Sequence, residues 1–411
     1  MRVTTLFRRL LGVTGLRVTG AFFMTNGSLA VEVRPGWRKP RCSGCGRVAP
    51  GYDRRPMRWW RHMAWGRTRV LLSYSPRRVR CSSCGIRTEK LPWADTQSRF
   101  SRDFEELVAY LAQVTDKTHV AQMMAIAWAT VGLIIARVVA RKLEPQRLVG
   151  LRHLGIDEFS YRSRHRYLTV VVDHDRRCIV WAGEGRSAEA LQAFFTLLSP
   201  EAREAIVLVT MDMSGGYQKA VRESLPNAEI VFDRFHVQRL ATDALDEVRR
   251  ALVRELEDRE EAKAIKNTRW ALLKRPDDHS QHDRERLSSV QKSNRPLYRA
   301  YLLKETLRQA LSYLQPWRAR RALEGWISWA SRSRLQPFKK AARTVREHLS
   351  GILAYVKHRL TNGLVEGLNN KLRLVTRRAY GFHSAQATIA MLYLNCSGIQ
   401  LNPPLPSPTR T

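Results

Sequence analysis

Gly155-Ile156-Asp157-Glu158 is the stretch on which the fold turns: a short apolar run closed by carboxylates. Downstream, Tyr167-Leu168-Thr169-Val170-Val171-Val172-Asp173 and Cys178-Ile179-Val180-Trp181 carry the β-branched and aromatic density of strands. A helix is predicted over about 188–198. It is followed by the apolar strand Ala205-Ile206-Val207-Leu208-Val209-Thr210-Met211-Asp212, a helix over about 216–224, and the strand Glu229-Ile230-Val231-Phe232-Asp233.

The order β-β-β-α-β-α-β is that of an RNase H-like sheet. Asp157 then sits on the first strand and Asp212 at the end of the fourth, which are neighbours in that topology. A third carboxylate, Glu366, lies in Asn362-Gly363-Leu364-Val365-Glu366-Gly367-Leu368-Asn369-Asn370, in the first turn of a helix capped by Asn362. Between Asp212 and Glu366 run 366 − 212 − 1 = 153 residues, too many for a loop. An inserted helical domain is expected there, highly charged and holding Trp270, Trp317, Trp326 and Trp329. Tryptophans in such a domain are more often core than exposed; the alternative is that one stacks on an unpaired base.

Three carboxylates so arranged suit phosphodiester chemistry with two divalent ions, about 3.5–4 Å apart, held by hard oxygen ligands that favour magnesium or manganese. Each acid also has a plainer reading. Asp157 could cap a turn, with Glu158 as the ligand instead, although alternation along a strand turns Glu158 to the opposite face. Asp212 could cap the next helix. Glu366 gains from a helix dipole in any case. Asp233 competes for the third position. Glu366 is preferred because Asn370, Arg373 and Arg377 follow on its helix face, at i+4, i+7 and i+11.

The charge supports a nucleic-acid partner. Of 411 residues, 71 are Lys or Arg and 37 are Asp or Glu, a net charge of +34, and each neutralised phosphate releases a counterion. Apolar residues make up 44%, enough for real cores, and the length asks for two to three domains. The longest apolar run, Val131-Gly132-Leu133-Ile134-Ile135-Ala136, is broken by Arg137, so no membrane span is expected. With no convincing signal peptide, the expected location is the cytoplasm, with action on the nucleoid.

Four of the six cysteines form two knuckles, Cys42-Ser43-Gly44-Cys45-Gly46 and Cys81-Ser82-Ser83-Cys84-Gly85, separated by 81 − 45 − 1 = 35 residues. Two C-x-x-C pairs supply the tetrahedral thiolate set of one structural zinc. The insert is rich in Arg and Trp. Arg54, Arg55, Arg58, Arg61 and Arg67 are candidate DNA contacts, and about half the tryptophans are expected to form the module's small core. From 101 to 143 the pattern is helical, with Ser101 as a cap. A helix over about 120–127, a short turn and a helix starting at Thr130 fit a helix-turn-helix.

Taken together, the two knuckles, Gly155-Ile156-Asp157-Glu158, Asp212-Met213-Ser214, Asp233-Arg234-Phe235-His236-Val237, the Glu366 stretch and Arg377-Arg378-Ala379-Tyr380-Gly381 resemble bacterial insertion-sequence transposases, most closely the ISL-three family of DDE transposases. The resemblance spans about 38–395. It implies Asp157, Asp212 and Glu366 as a catalytic triad binding two magnesium or manganese ions. It also implies support from Asp233 and His236, and DNA contacts that include Arg373, Arg377 and Arg378. The zinc module and helix-turn-helix would bind the terminal inverted repeats in double-stranded DNA, and cleaved 3′-hydroxyl ends would be joined to target DNA. A homodimer or higher homo-oligomer is expected, because two ends are cut together.

The expected fold class is α/β, an RNase H-like core with an all-α insertion, plus N-terminal zinc-finger and helix-turn-helix domains. The expected division is an N-terminal segment (1–37) of unread role, zinc module (38–95), helix-turn-helix (100–145), first core part (150–236), helical insertion (237–358), last core part (359–396) and disordered tail (397–411). Competing readings are a non-enzymatic sequence-specific DNA-binding protein, against which the three carboxylates argue, and a structure-specific nuclease on the same fold.

Overall fold

The computed structural model describes residues 3–162, 166–213, 215–379 and 381–403. Ser214, Tyr380 and residues 404–411 of the expected tail lie outside the described residues. The chain divides into two compact units: one runs up to Glu144 and takes in the chain from Tyr393 on, the other is Pro145–Leu392.

The first unit opens with α1 (Val3–Leu11), β1 (Leu16–Phe23) and β2 (Leu29–Pro35), followed by β3 (Gly51–Arg54), β4 (Arg58–Arg61), β5 (Val70–Tyr74), β6 (Arg77–Cys81) and β7 (Gly85–Thr88). Two sheets result, one ordered β1-β2-β5-β4 and one ordered β3-β6-β7. The expected boundary at 37/38 therefore does not hold. Strand β2 pairs in parallel with β5, Leu29 opposite Val70, so the first 37 residues complete the sheet begun between the knuckles. The reason is apolar: Val31, Val33, Trp60, Leu72 and Trp93 are buried in one cluster, to which α1 adds Leu11. Alternation on β4 sorts its tryptophans, Trp60 being fully buried and Trp59 39% exposed.

Helices α2 (Arg102–Val114), α3 (Lys117–Met124) and α4 (Trp128–Lys142) follow. Ser101 caps α2 by accepting from the Phe104 N–H. Helix α3 starts three residues before its expected start because Asp116 accepts from the amides of Thr118 and His119, and it stops where Ala125 turns left-handed. Axes α3 and α4 meet at 100°. Among the described residues no single helix is long and apolar enough to cross a membrane.

The second unit is built on β8 (His153–Arg162), β9 (Arg166–Asp173), β10 (Cys178–Glu184), α5 (Ala188–Phe195), α6 (Pro200–Glu204), β11 (Leu208–Met211), α7 (Gly215–Ser224) and β12 (Glu229–Phe232). The sheet order is β10-β9-β8-β11-β12. The first three strands run antiparallel, while β11 and β12 run parallel to β8. Helices α8 (Arg234–Glu255), α9 (Arg259–Asn267), α10 (Arg269–Leu273), α11 (Gln281–Ser293), α12 (Arg295–Ala310), α13 (Pro316–Arg332) and α14 (Gln336–Glu347) form the helical part. The chain returns through α15 (Leu349–His358), α16 (Gly363–Arg378) and α17 (Ala385–Cys396).

Two expected seams move. The one at 236/237 falls inside α8, a continuous helix of 22 residues. The one at 358/359 would detach α15, which packs on the sheet: a Cβ on Gly351 would lie 2.5 Å from the Phe232 ring, so only glycine permits that approach. Of the four insertion tryptophans, Trp326 is buried with its Nε1–H on the Leu303 carbonyl at 2.7 Å, and Trp329 packs against the core. Trp270 and Trp317 are 61% and 62% exposed, each under a neighbouring guanidinium. In the tail, the Asn402 N–H donates to Glu106, so 397–403 is not wholly unattached.

Candidate active site and metal centre

Strand register sets the first two carboxylates level. On the parallel strands β8 and β11, Gly155 pairs with Thr210. Asp157, midway along β8, and Asp212, the residue after β11, each lie two positions further on, and the charge of Asp212 is felt at Asp157. The third carboxylate arrives on α16. Its docking point is Gly155, where an added Cβ would stand 2.6 Å from Val365 Cγ2, 2.9 Å from His174 Nε2 and 3.2 Å from Thr210 Oγ1.

Two polar contacts pin the helix. Asn369 Nδ2 donates to Asp157 Oδ2 at 2.7 Å. The Thr210 hydroxyl donates to Asn362 Oδ1. The expected capping role of Asn362 is therefore not the observed one, as no helix amide reaches its side chain. A buried threonine hydroxyl competes for that oxygen and leaving it unpaired would cost more. His174 Nε2 stands 2.7 Å from the same Thr210 oxygen. Because that hydroxyl already donates, the imidazole is the donor and carries its proton on Nε2.

The electrostatics tie the site together. Burial pushes the Asp157 carboxyl above the usual range, the Glu158 N–H and nearby His236 pull it back, and the like charges of Asp212 and Glu366 push it up again. Glu158 is raised by burial and by Asp212, with Arg186 opposing. Its cross-strand partner is Thr169, whose hydroxyl meets the Tyr217 hydroxyl at 2.8 Å. Glu158 thus belongs to the α7 side of the sheet and Asp157 to the α16 side. Asp233 is buried and spends its side chain capping α8 through the Phe235 N–H, with His236 in that helix's first turn. A cavity of about 370 Å³ opens beside Glu366, lined by Asp233, Phe235, Arg275, Arg308 and Tyr355.

The like charges of Asp212 and Glu366 both act on Asp157, and a cation bound beside like charges would relieve such repulsion. Among the described residues, only the four knuckle cysteines form a group of metal-ligating atoms all within 4.8 Å of one another.

At the knuckles Gly46 and Gly85 take φ of 73° and 71°, the left-handed turns the C-x-x-C-G spacing calls for. The Gly44 amide points at Cys42 Sγ, 3.4 Å away. The Arg47 guanidinium pulls the Cys45 thiol down to about 6, while Cys84, whose free thiol is held by a hydrogen bond with Cys45, is pushed up to about 12. Four thiols this close cannot all ionise alone, and one divalent cation removes that penalty. The donor set fits zinc.

The candidate DNA contacts separate by what their side chains do. Arg58 donates to the carbonyls of Thr96 and Ser98, and Arg61 donates to that of Ala125 while lying over the Phe104 ring. Both are occupied in holding the first unit together. Arg54, Arg55 and Arg67 are exposed, as are Arg373 and Arg377 on α16; Arg378 is half-buried. Asn369, Thr210 and His174 had no role of their own in the sequence reading, although Asn369 stands three residues from Glu366, one turn along the same helix.

A family model described as a transposase matches residues 154–392. A model of the helix-turn-helix domain of transposase family ISL3 matches 89–139. The transposase for insertion sequence element IS1557 of Mycobacterium tuberculosis is 39% identical over 382 residues, covering 87% of this chain and 86% of that protein. The transposase for IS1001 of Bordetella parapertussis is 32% identical over 363 residues, covering 87% and 89%. Both family models and the relatives converge: this chain belongs to the ISL3 family of insertion-sequence transposases.

Proposed function

We propose that this transposase binds the terminal inverted repeats of its own element, cleaves DNA strands at an RNase H-like site made of Asp157, Asp212 and Glu366, and transfers the 3′-hydroxyl ends to target DNA. The observation that carries this reading is the junction of α16 with β8, where Asn369 holds Asp157 and Glu366 shares its electrostatic field. Two magnesium or manganese ions bound by the three carboxylates would activate the attacking water or 3′-hydroxyl and neutralise the leaving oxygen.

The protein's part is orientation. Asp157 has one oxygen fixed by the Glu158 N–H and the other by Asn369, so the carboxylate cannot swing away from its neighbours. His236, on the first turn of α8, balances the negative cluster and faces the scissile phosphate. Arg373 and Arg377 run along the Glu366 helix as phosphate contacts. One zinc on Cys42, Cys45, Cys81 and Cys84 holds the N-terminal sheets in place, and the protein acts as a dimer or higher oligomer on paired ends.

The test is strand cleavage of end DNA with magnesium or manganese. Glu366→Gln should keep the fold, the zinc and end binding, yet lose cleavage. Glu158→Gln, on the other face of the sheet, should cleave measurably. Full activity in the first, or none in a folded second, overturns the triad.

A further inference from the structure

The family models begin at residue 89, and nothing yet gives the first 37 residues a role beyond completing a sheet. Between the two sheets of the first unit lies a cleft of about 520 Å³. Arg17 on β1, Arg34 on β2 and Arg38 just beyond it line one side; Arg54 on β3 and Arg77 on β6 line the other. Trp37 and Tyr74 supply flat apolar walls, and among the described residues no acidic side chain lines the cleft.

These cations are not equivalent. Arg77 is already neutralised by Glu89, through bonds of 2.8–3.1 Å, and Arg54 donates to the Ser75 carbonyl. Arg17, Arg34 and Arg38 are exposed, and their side chains have no hydrogen-bond or ion-pair partner among the described residues. Three like charges around one concavity repel one another, and an anion removes that cost.

The helix-turn-helix makes the cleft matter more. Every cation of α4 is consumed internally: Arg137 on Glu105, Arg141 on Asp95 and Glu105, Lys142 on Glu106. Its outward side chains include Trp128, Ala129, Leu133, Ala136 and Ala140. Such a helix can touch base edges and thymine methyls but offers no free cation of its own to phosphates.

We propose that the cleft between the two N-terminal sheets is a clamp for the phosphate backbone of duplex DNA, with Arg17, Arg34 and Arg38 as the contacting cations. It supplies sequence-independent affinity to the unit whose helix-turn-helix faces the bases. The idea rests on this chain binding DNA, as its family implies, but not on the catalytic assignment.

The experiment uses the full chain and measures binding to two duplexes of equal length, one carrying the element's terminal sequence and one unrelated, across a salt series. In Arg17→Gln/Arg34→Gln/Arg38→Gln, affinity should fall by a similar factor on both duplexes, and the slope of log K against log salt should flatten by roughly 3. The triple Lys variant should retain the slope, and unchanged zinc content and circular dichroism identify a folded protein. An unchanged slope in the folded Gln variant overturns the clamp, as does a loss confined to the terminal sequence. Loss of end preference in the wild-type chain, with its salt slope intact, would count against inverted-repeat recognition and leave the clamp standing.

Discussion

Asn369 Nδ2 donates to Asp157 Oδ2 at 2.7 Å, joining residues 212 apart in the chain. The bond sets the orientation of the carboxylate and seats the helix that brings Glu366. Asn369→Ala should therefore lower strand cleavage by about 10- to 100-fold, the usual cost of losing a group that orients a metal ligand. The loss should be smaller at high manganese, and end-DNA binding should stay within a fewfold of wild type. Wild-type cleavage in Asn369→Ala would show that the contact is incidental.

Gly155 is a second point of control, reached through sterics. In Gly155→Ala the new methyl would meet Val365 at 2.6 Å and His174 at 2.9 Å. The neighbours are packed side chains on two elements, so α16 must shift. A cost of about 1–3 kcal/mol is expected, as for other overpacked sites, together with a loss of cleavage greater than the stability change explains. Denaturant unfolding and cleavage of the same preparation measure both. A variant as stable and active as wild type would mean that α16 does not rest on β8 as described.

Much of this was legible from local pattern. The strands around Asp157 and Asp212 are dense in Val and Ile, and the register Gly155–Thr210 follows once the strand order is known. The knuckles were legible because C-x-x-C-G encodes its own turn. What escaped depends on partners far away in sequence. The alternation over Leu29–Val33 reads as a short strand, but nothing local names β5 as its partner, so the role of the first 37 residues was not legible. Asn362 has the sequence of a helix cap but serves Thr210, and Arg58 and Arg61 look like DNA contacts but hold the Thr96, Ser98 and Ala125 carbonyls. Charged and polar side chains satisfy whichever partner burial leaves them, and periodicity does not report which.

The knuckles predict a metal dependence confined to one part of the protein. Metal analysis should find about one zinc per chain, lost in Cys42→Ser. Stripping zinc should unfold the small sheet β3-β6-β7 first, because its buried cluster amounts to little more than Cys42, Ala49, Val79 and Cys81. Protease digestion should then release the N-terminal unit while 145–392 resists. A folded, zinc-free wild-type protein would refute the site.

Stability should fall in mild acid, and the sign follows from two histidines. Burial pushes His62, whose Nδ1 meets the Ser101 hydroxyl at 2.8 Å, down to about 4. Burial, with help from His153, does the same to His174, also to about 4. Both are neutral in the folded protein near pH 6, whereas the unfolded chain takes up protons at about 6.5. Between those values the unfolded state binds more protons, so unfolding free energy drops as pH falls from about 6.5 toward 4. The ceiling is about 3 kcal/mol for each ring, less where water reaches it, as it does at His174. Urea midpoints at pH 7.5 and 5.5 measure the effect. His62→Gln, which cannot be protonated, should lose stability at pH 7.5 yet show a weaker pH dependence. Equal midpoints at the two pH values, or higher stability at pH 5.5, would mean that neither ring is held neutral by the fold.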